Sequence, residues 1–323
     1  MTSGPANNLP SCLPAFAVNV PPPDLSAYIL GNTGVPGFVT LESNREGPHL
    51  VLVSLIHGNE YAGAIVLAEL LASGFRPLRG KLTIGFSNLA AFARFDPANP
   101  TASRYIDEDM NRIWDDFTLF GMRHSVELDR AREIRPIIDS ADILLDLHSM
   151  LWPSDPLLLC GINAQGQRLG LELGSPGLVV ADSGHVGGKR LIDYGHFTEI
   201  RSTHSASLLL EAGLHWQPET ITQSRETVLS LLNQLEMRNG PARPRNAVYA
   251  RVLKTITAHT NRFQFVRAFR GGEVIARAGT LIAHDGDKKI YTPEDNLIMI
   301  MPSLKVGHGH TAVRLAKLMQ EAR

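Results

Sequence analysis

Leu50-Val51-Leu52-Val53-Ser54-Leu55-Ile56-His57-Gly58-Asn59-Glu60 is the stretch on which the reading of the chain turns. Leu50 to Ile56 is an unbroken apolar run rich in Val, Leu and Ile, the composition of a buried strand. From Tyr61 to Leu71 apolar residues return at helical spacing, so Glu60 opens a helix and His57 stands where the strand ends. A His and a Glu three apart at such a turn can point two donor atoms into one crevice. In open α/β sheets the crevice at the carboxyl ends of strands is where ligands bind. Asp142 to Leu147 forms a second apolar run, and His148 stands at its end in the same way. Two imidazoles and one carboxylate are the His₂Glu set of catalytic zinc, which leaves a fourth position for water. Taken alone, His57 and Glu60 also suit a backbone-bonded histidine and a carboxylate at a helix start. The matching His148 favours the metal.

Outward from this core, other segments fall into alternating strands and helices. Tyr28 to Glu42 reads as an antiparallel edge of the sheet, and Leu82 to Ser87 as the next strand. Asn88 to Phe95 reads as a loop and Asp96 to Ser103 as turns, which leaves Arg104 to Arg112 on irregular chain. Arg123 to Ser140 predicts an amphipathic helix, Pro156 to Cys160 a strand, and Gly184 to Phe197 a flexible loop able to cover a site. Ser207 to Leu210 predicts a short strand with Glu211 at its end, and Pro218 to Met237 a long helix. Asn239 to Asn246, rich in Pro, Gly and Arg, marks a linker. Two domains follow, 1–240 and 241–323, the second a small β domain ending in a helix from about His310.

The chain has 323 residues, a net charge of −1 and two cysteines, Cys12 and Cys160. That charge suggests neither a nucleic-acid nor an anionic-membrane partner. The cysteine count fits a reduced cytoplasm, and no apolar stretch approaches the ~20 residues of a membrane span. The first residues lack the basic and apolar regions of a signal peptide. Pro10 to Pro23 holds five prolines and predicts extended surface chain. There is no Gly-x-Ser-x-Gly elbow and no His-Glu-x-x-His helix, which argues against two other hydrolase designs.

Five motifs occur in order: His57-Gly58-Asn59-Glu60, Arg104-Tyr105-Ile106-Asp107, Asp109-Met110-Asn111-Arg112, Asp146-Leu147-His148-Ser149 and Glu211-Ala212-Gly213. In them the chain resembles the succinylglutamate desuccinylase/aspartoacylase family, a branch of the zinc carboxypeptidase superfamily. That resemblance implies an α/β fold with a mixed central sheet and helices on both faces, followed by a barrel-sandwich-like β domain. It implies one zinc ion per chain, held by His57, Glu60 and His148. By the same resemblance Glu211 becomes the general base and then acid, and Arg104 the group that polarises the scissile carbonyl. Asn111 and Arg112 become ligands of a substrate carboxylate, for which a guanidinium fork is well shaped. Solvated surface arginines, or structural ion pairs to Asp107 and Asp109, are the alternatives for both Arg104 and Arg112.

Asp146, two residues before His148, faces the same side of its strand. It could orient a ligand imidazole or serve as a helix-cap or core acceptor. Tyr291 is a candidate for a tyrosine that the aspartoacylase branch brings to the substrate from its second domain; packing within that domain is the other reading. His185, His196 and His204 precede Glu211 and read first as loop histidines.

The expected activity is zinc-dependent hydrolysis of the amide of a small N-acylated amino acid or related amine. A metallocarboxypeptidase and a non-catalytic metal- or ligand-binding protein are the alternatives. The acyl group, the amine and the oligomeric state are left open; the small β domain could support a homo-oligomer.

Overall fold

The computed structural model describes residues 16–184, 187–199, 204–241 and 246–319. The chain forms two compact units. One consists of Val18–Ser149 and Pro156–Val248, and the other of the described parts of 1–17, 150–155 and 249–323.

The first unit is built on a mixed sheet. Its strands are β1 (Phe38–Glu42), β2 (His49–Ser54), β3 (Lys81–Phe86), β4 (Ile143–Met150), β5 (Leu157–Leu159), β6 (Leu178–Ala181) and β7 (Ala206–Leu214). They lie in the order β1-β3-β2-β4-β7-β5-β6. β2 runs parallel to both β3 and β4, and β5 parallel to β6. β1 is antiparallel to β3 at the edge, as its turn-rich sequence predicts, and β5 is antiparallel to β7. Every residue of β2 and β4 is buried, which is why both read as unbroken apolar runs instead of alternating ones.

The helices are α1 (Ala62–Ala72), α2 (Leu89–Phe92), α3 (Asp116–Leu119), α4 (Val126–Asp139), α5 (Ala164–Leu173) and α6 (Pro218–Gln234). α1, α5 and α6 pack in one layer, and α3 packs against α4. Their ends follow local chemistry. Ser125 caps α4 by accepting from the Leu128 amide, with Glu127 and Asp129 in its first turn. Asn163 caps α5, and Gly174 closes it in the left-handed conformation. Pro218 starts α6.

The named strands of the second unit pair antiparallel. β8 (Val248–Thr257), β14 (Thr311–Leu318), β13 (Leu297–Ile300) and β10 (Val274–Ile275) pair in that order. β12 (Lys288–Tyr291), β11 (Leu281–Asp285) and β9 (Phe263–Phe265) form a smaller sheet. Phe265, Phe269, Ile282, Leu297, Met299 and Leu315 fill its core.

Several expectations change. The helix expected from His310 is the strand β14, flanked by β8 and β13. Ala, Leu, Lys, Arg and Met favour helix locally, but two strand partners bury Ala312 through Ala316 and override that preference. Asn88 to Phe95, read as a loop, contains α2, whose start is capped by the Asn88 side chain. Glu211 lies inside β7, not at its end. The segment read as a flexible loop carries two single helical turns, Leu191–Asp193 and Gly195–Thr198. Arg190 anchors it, buried and ion-paired to Asp182 and Asp193. Residues 185–186 and 200–203 of that loop, 242–245 of the linker, 10–15 of the proline-rich stretch and Cys12 lie outside the described residues.

Candidate active site

β2 ends at Ser54, and the chain then turns sharply. Leu55 adopts φ +60°, a conformation that costs a non-glycine residue on the order of 1–3 kcal/mol. The turn carries Ile56 to Glu60 across the top of the sheet and into α1. Gly58 makes the turn possible. Its N–H donates to the Arg104 carbonyl at 3.0 Å. A Cβ at Gly58 would meet Phe92 N at 2.4 Å and Ser103 O at 2.5 Å. These are backbone atoms that cannot swing away, so Gly58→Ala is expected to cost about 1–3 kcal/mol. Urea unfolding of the two proteins measures it, and an unchanged midpoint would contradict the tight packing.

The β2–β4 register sets Asp146 beside Val53 and Leu147 beside Ser54. β4 therefore continues past the end of β2, which brings His148 level with the turn. His57, Glu60 and His148, each buried, offer one donor atom apiece within 4.8 Å of one another. His57 Nδ1 lies 2.9 Å from Glu60 Oε1, and His148 Nδ1 lies 3.1 Å from Glu60 Oε2. The two rings stand 5.0 Å apart, edge to face. Each ring turns its other nitrogen to a further carboxylate. His57 Nε2 is 2.9 Å from Asp109 Oδ1, and His148 Nε2 is 2.8 Å from Asp146 Oδ2.

The site is strongly polarised. Burial would raise the Glu60 carboxyl, but His57 and His148 hold it well below the usual carboxylate range. Burial would lower the His148 imidazole, but Asp146 and Glu60 raise it well above its ordinary value. Asp109 is likewise lowered: His57 and Arg104 outweigh its burial. Glu211 goes the other way. Burial pushes it up to about 8, with Glu60 adding to the rise and His148 and Arg104 opposing it. A carboxylate near pH 7 in its titration is matched to moving protons.

These observations fit a cation. Glu211 Oε2 is a buried polar atom that makes no hydrogen bond among the described residues, and His57 Nδ1 faces Glu60 Oε1 at 2.9 Å without hydrogen-bonding geometry. Two ring nitrogens and a carboxylate facing one point are a divalent-metal donor set. A carboxylate behind each ring is the arrangement that fixes a ligand histidine's tautomer.

Arg104 is 36% exposed, and Nη1 donates to Glu60 Oε1 at 2.8 Å. Its Nη2 donates to Asp109 Oδ2 at 3.2 Å. The side-chain oxygen of Asn111 accepts from the Leu191 N–H at 2.8 Å, so that atom is committed to the anchored segment. Arg112 donates to the Asn111 carbonyl at 2.6 Å and comes within 3.8 Å of Asp109. Tyr291 belongs to the second unit, on β12, and is 45% exposed. His196 donates to the Ala141 carbonyl at 2.8 Å, a structural role. His204 is exposed, and His185 lies outside the described residues.

The sequence assigns no role to Ser149 or His215, and names Asp109 only as an ion-pair partner of the arginines, which it is. Asp109 stands in a quoted motif, but only the fold shows it backing His57. Ser149 donates its backbone N–H to Glu60 Oε2 at 3.0 Å, and its hydroxyl lies 2.7 Å from His215 Nδ1. His215 is buried, and burial lowers its pKa to about 4. Its one sequence signal is its place four residues after Glu211. Trp216 follows with φ +59° and donates Nε1–H to the Asn59 carbonyl at 2.9 Å, tying the end of β7 to the turn that carries His57 and Glu60.

Asp109→Asn and Asp146→Asn are each expected to weaken metal binding about 10- to 100-fold. Competition with a chromophoric chelator measures this. Unchanged affinity in both would show that neither carboxylate supports a ligand.

The same overall fold occurs in solved structures of low sequence identity. Succinylglutamate desuccinylase from Vibrio cholerae superimposes with a TM-score of 0.69 at 18% identity, covering 88% of this chain and 86% of that one. A succinylglutamate desuccinylase/aspartoacylase from Rhodobacter sphaeroides gives 0.64 at 19% identity, covering 88% and 89%. The product-bound ectoine utilization protein EutE (DoeB) from Ruegeria pomeroyi gives 0.63 at 16% identity, covering 86% and 88%. Residues 46–235 match the succinylglutamate desuccinylase/aspartoacylase catalytic domain, and the chain belongs to that family of hydrolases. Among the described residues, no helix is long and apolar enough to cross a membrane.

Proposed function

We propose that the chain is a zinc-dependent deacylase that hydrolyses the amide of a small N-acylated amino acid or related amine. The observation that carries this reading is the convergence of His57, Glu60 and His148 in electrostatic reach of the buried, high-pKa Glu211. His57, Glu60 and His148 would hold one zinc ion. When bound, zinc supplies Lewis acidity and lowers the pKa of its water to about 7.

Glu211 accepts a proton at its carboxylate as the water attacks, and later delivers it to the amine nitrogen that leaves. Its raised pKa makes it a stronger base than an exposed glutamate. Arg104 stabilises the negative charge that develops on the carbonyl oxygen, a contribution typically of several kcal/mol. Arg112 and the Asn111 amide nitrogen orient a substrate carboxylate. Asp146 and Asp109 keep the imidazoles in the ligating tautomer. Tyr291 stays a candidate for substrate contact. The domain division near residue 240 goes with this reading, as does a cytoplasmic setting; the buried free thiol of Cys160 is compatible with the latter.

A screen of zinc-loaded protein against N-acetyl, N-succinyl and N-acyl diamino acids, beside a panel of short peptides, tests the proposal. Amine release from an N-acyl amino acid supports it. Cleavage of peptides alone would point to a carboxypeptidase, and bound zinc with no release from any member to a binding protein.

A further inference from the structure

We infer that Glu127, a residue of α4 remote from the motifs, is a positioning residue that holds the Arg104–Asp109 arm of the site in register with His57. The inference rests on the functional reading above for the roles of Arg104 and Asp109. The arm has no regular secondary structure, yet it must place a guanidinium and a carboxylate against His57 and Glu60. A site loses function when its groups drift by about 0.5–1 Å, so something must replace the missing ladder of backbone bonds.

Glu127 does so. It is fully buried, and its carboxylate collects the successive amides of the arm. Oε1 accepts from Ile106 N at 2.7 Å, and Oε2 from Asp107 N at 3.0 Å and Glu108 N at 3.2 Å. Asn88 Nδ2 donates to Oε1 at 3.0 Å and steadies the acceptor from the far side. The clasp is reciprocal. Asp107 Oδ2 accepts from Val126 N at 2.8 Å, and Glu108 accepts from the Ser125 hydroxyl. The start of α4 and the arm therefore hold each other. A negative side chain in the first turn of a helix also meets the favourable end of its dipole. Immediately outside the clasped amides, Gly58 N donates to the Arg104 carbonyl and Asn111 N to Asp109 Oδ1. Both working residues thus sit at the edges of a segment fixed at its centre.

Only a carboxylate fits. Glutamine keeps one acceptor oxygen and replaces the other with an N–H₂ donor, which in either orientation would face two donors with no acceptor.

The test has two parts. In metal-free protein, Glu127→Gln is expected to lose amide-exchange protection at Ile106, Asp107 and Glu108 by about 10-fold or more, with α1 and α6 unchanged. Zinc affinity is then measured in a double-mutant cycle. Glu127→Gln should weaken binding about 10-fold in the wild-type background and less than about 2-fold in Asp109→Asn, because the loss is routed through Asp109. A purely structural role would give the same loss in both backgrounds. Additive losses, unchanged affinity or unchanged protection would each overturn the inference. If Glu127→Gln does not fold, Glu127→Asp, one methylene short, carries the same comparison. A wild-type chain that binds no zinc overturns the functional reading instead. Exchange at the three amides then decides the clasp, and unchanged protection there rejects it.

Discussion

Glu211→Gln is expected to lower kcat by about 10²- to 10⁴-fold while leaving zinc content at wild-type levels. General acid–base groups contribute on that order, and burial raises the Glu211 carboxyl to about 8. Glutamine keeps the shape and burial but cannot take a proton. Full activity in this variant would reject Glu211 as the base.

A second readout follows from the same carboxylate without any substrate. In the metal-free protein its folded pKa, about 8, lies above its ordinary value near 4.5. The folded state therefore binds this proton more tightly than the unfolded chain does. The stabilisation is complete below about pH 4.5 and is lost as pH rises through about 8. Glutamine never ionises. Metal-free Glu211→Gln should therefore melt with the wild type near pH 4 and above it at pH 8. Equal melting temperatures at both would mean that the carboxyl is not held in a costly ionised form.

The larger effect is expected at the metal ligands. His148→Ala should reduce bound zinc from one per chain to near zero. Hydrolysis should fall by roughly 10⁴-fold or more, since the metal centre supplies much of the acceleration in enzymes of this design. His148 cannot be replaced from its surroundings. Its ring nitrogens face Glu60 and Asp146 at 3.1 and 2.8 Å, and among the described residues the cluster holds no histidine besides His148 and His57. Zinc also reports on the site through stability. A ligand that binds only the folded state at 1,000 times its Kd stabilises by about 4 kcal/mol. Added zinc should raise the melting temperature of the wild type and leave that of His148→Ala unmoved. A variant that still binds one zinc with wild-type affinity would remove His148 from the ligand set.

Much of this architecture is written locally. β2 and β4 were legible because a strand buried on both faces must be apolar at every position. α4 was legible because its cap and its acidic first turn answer to the orphan N–H groups of a helix start. β14 was not, because its residues favour helix and only pairing with β8 and β13 decides against it. Glu211 was placed one step wrong for a similar reason. Its environment is settled by Leu157 across the sheet, and Gly213 only looked like a strand end.

His57, Glu60 and His148 could be named in advance because donor chemistry is a property of side chains, and strand ends are where an α/β sheet gathers them. What the order of residues could not specify is which groups stand behind the donors. Asp109 reaches His57 from 52 positions away, His215 meets Ser149 across 66, and Glu127 grips an arm some 20 residues upstream. No periodicity links such residues. They meet because the register of β2 with β4, the strained turn at Leu55 and the start of α4 place them together. The lowered pKa of Glu60 and the raised pKa of Glu211 come from burial and neighbouring charge, which exist only once the chain has folded.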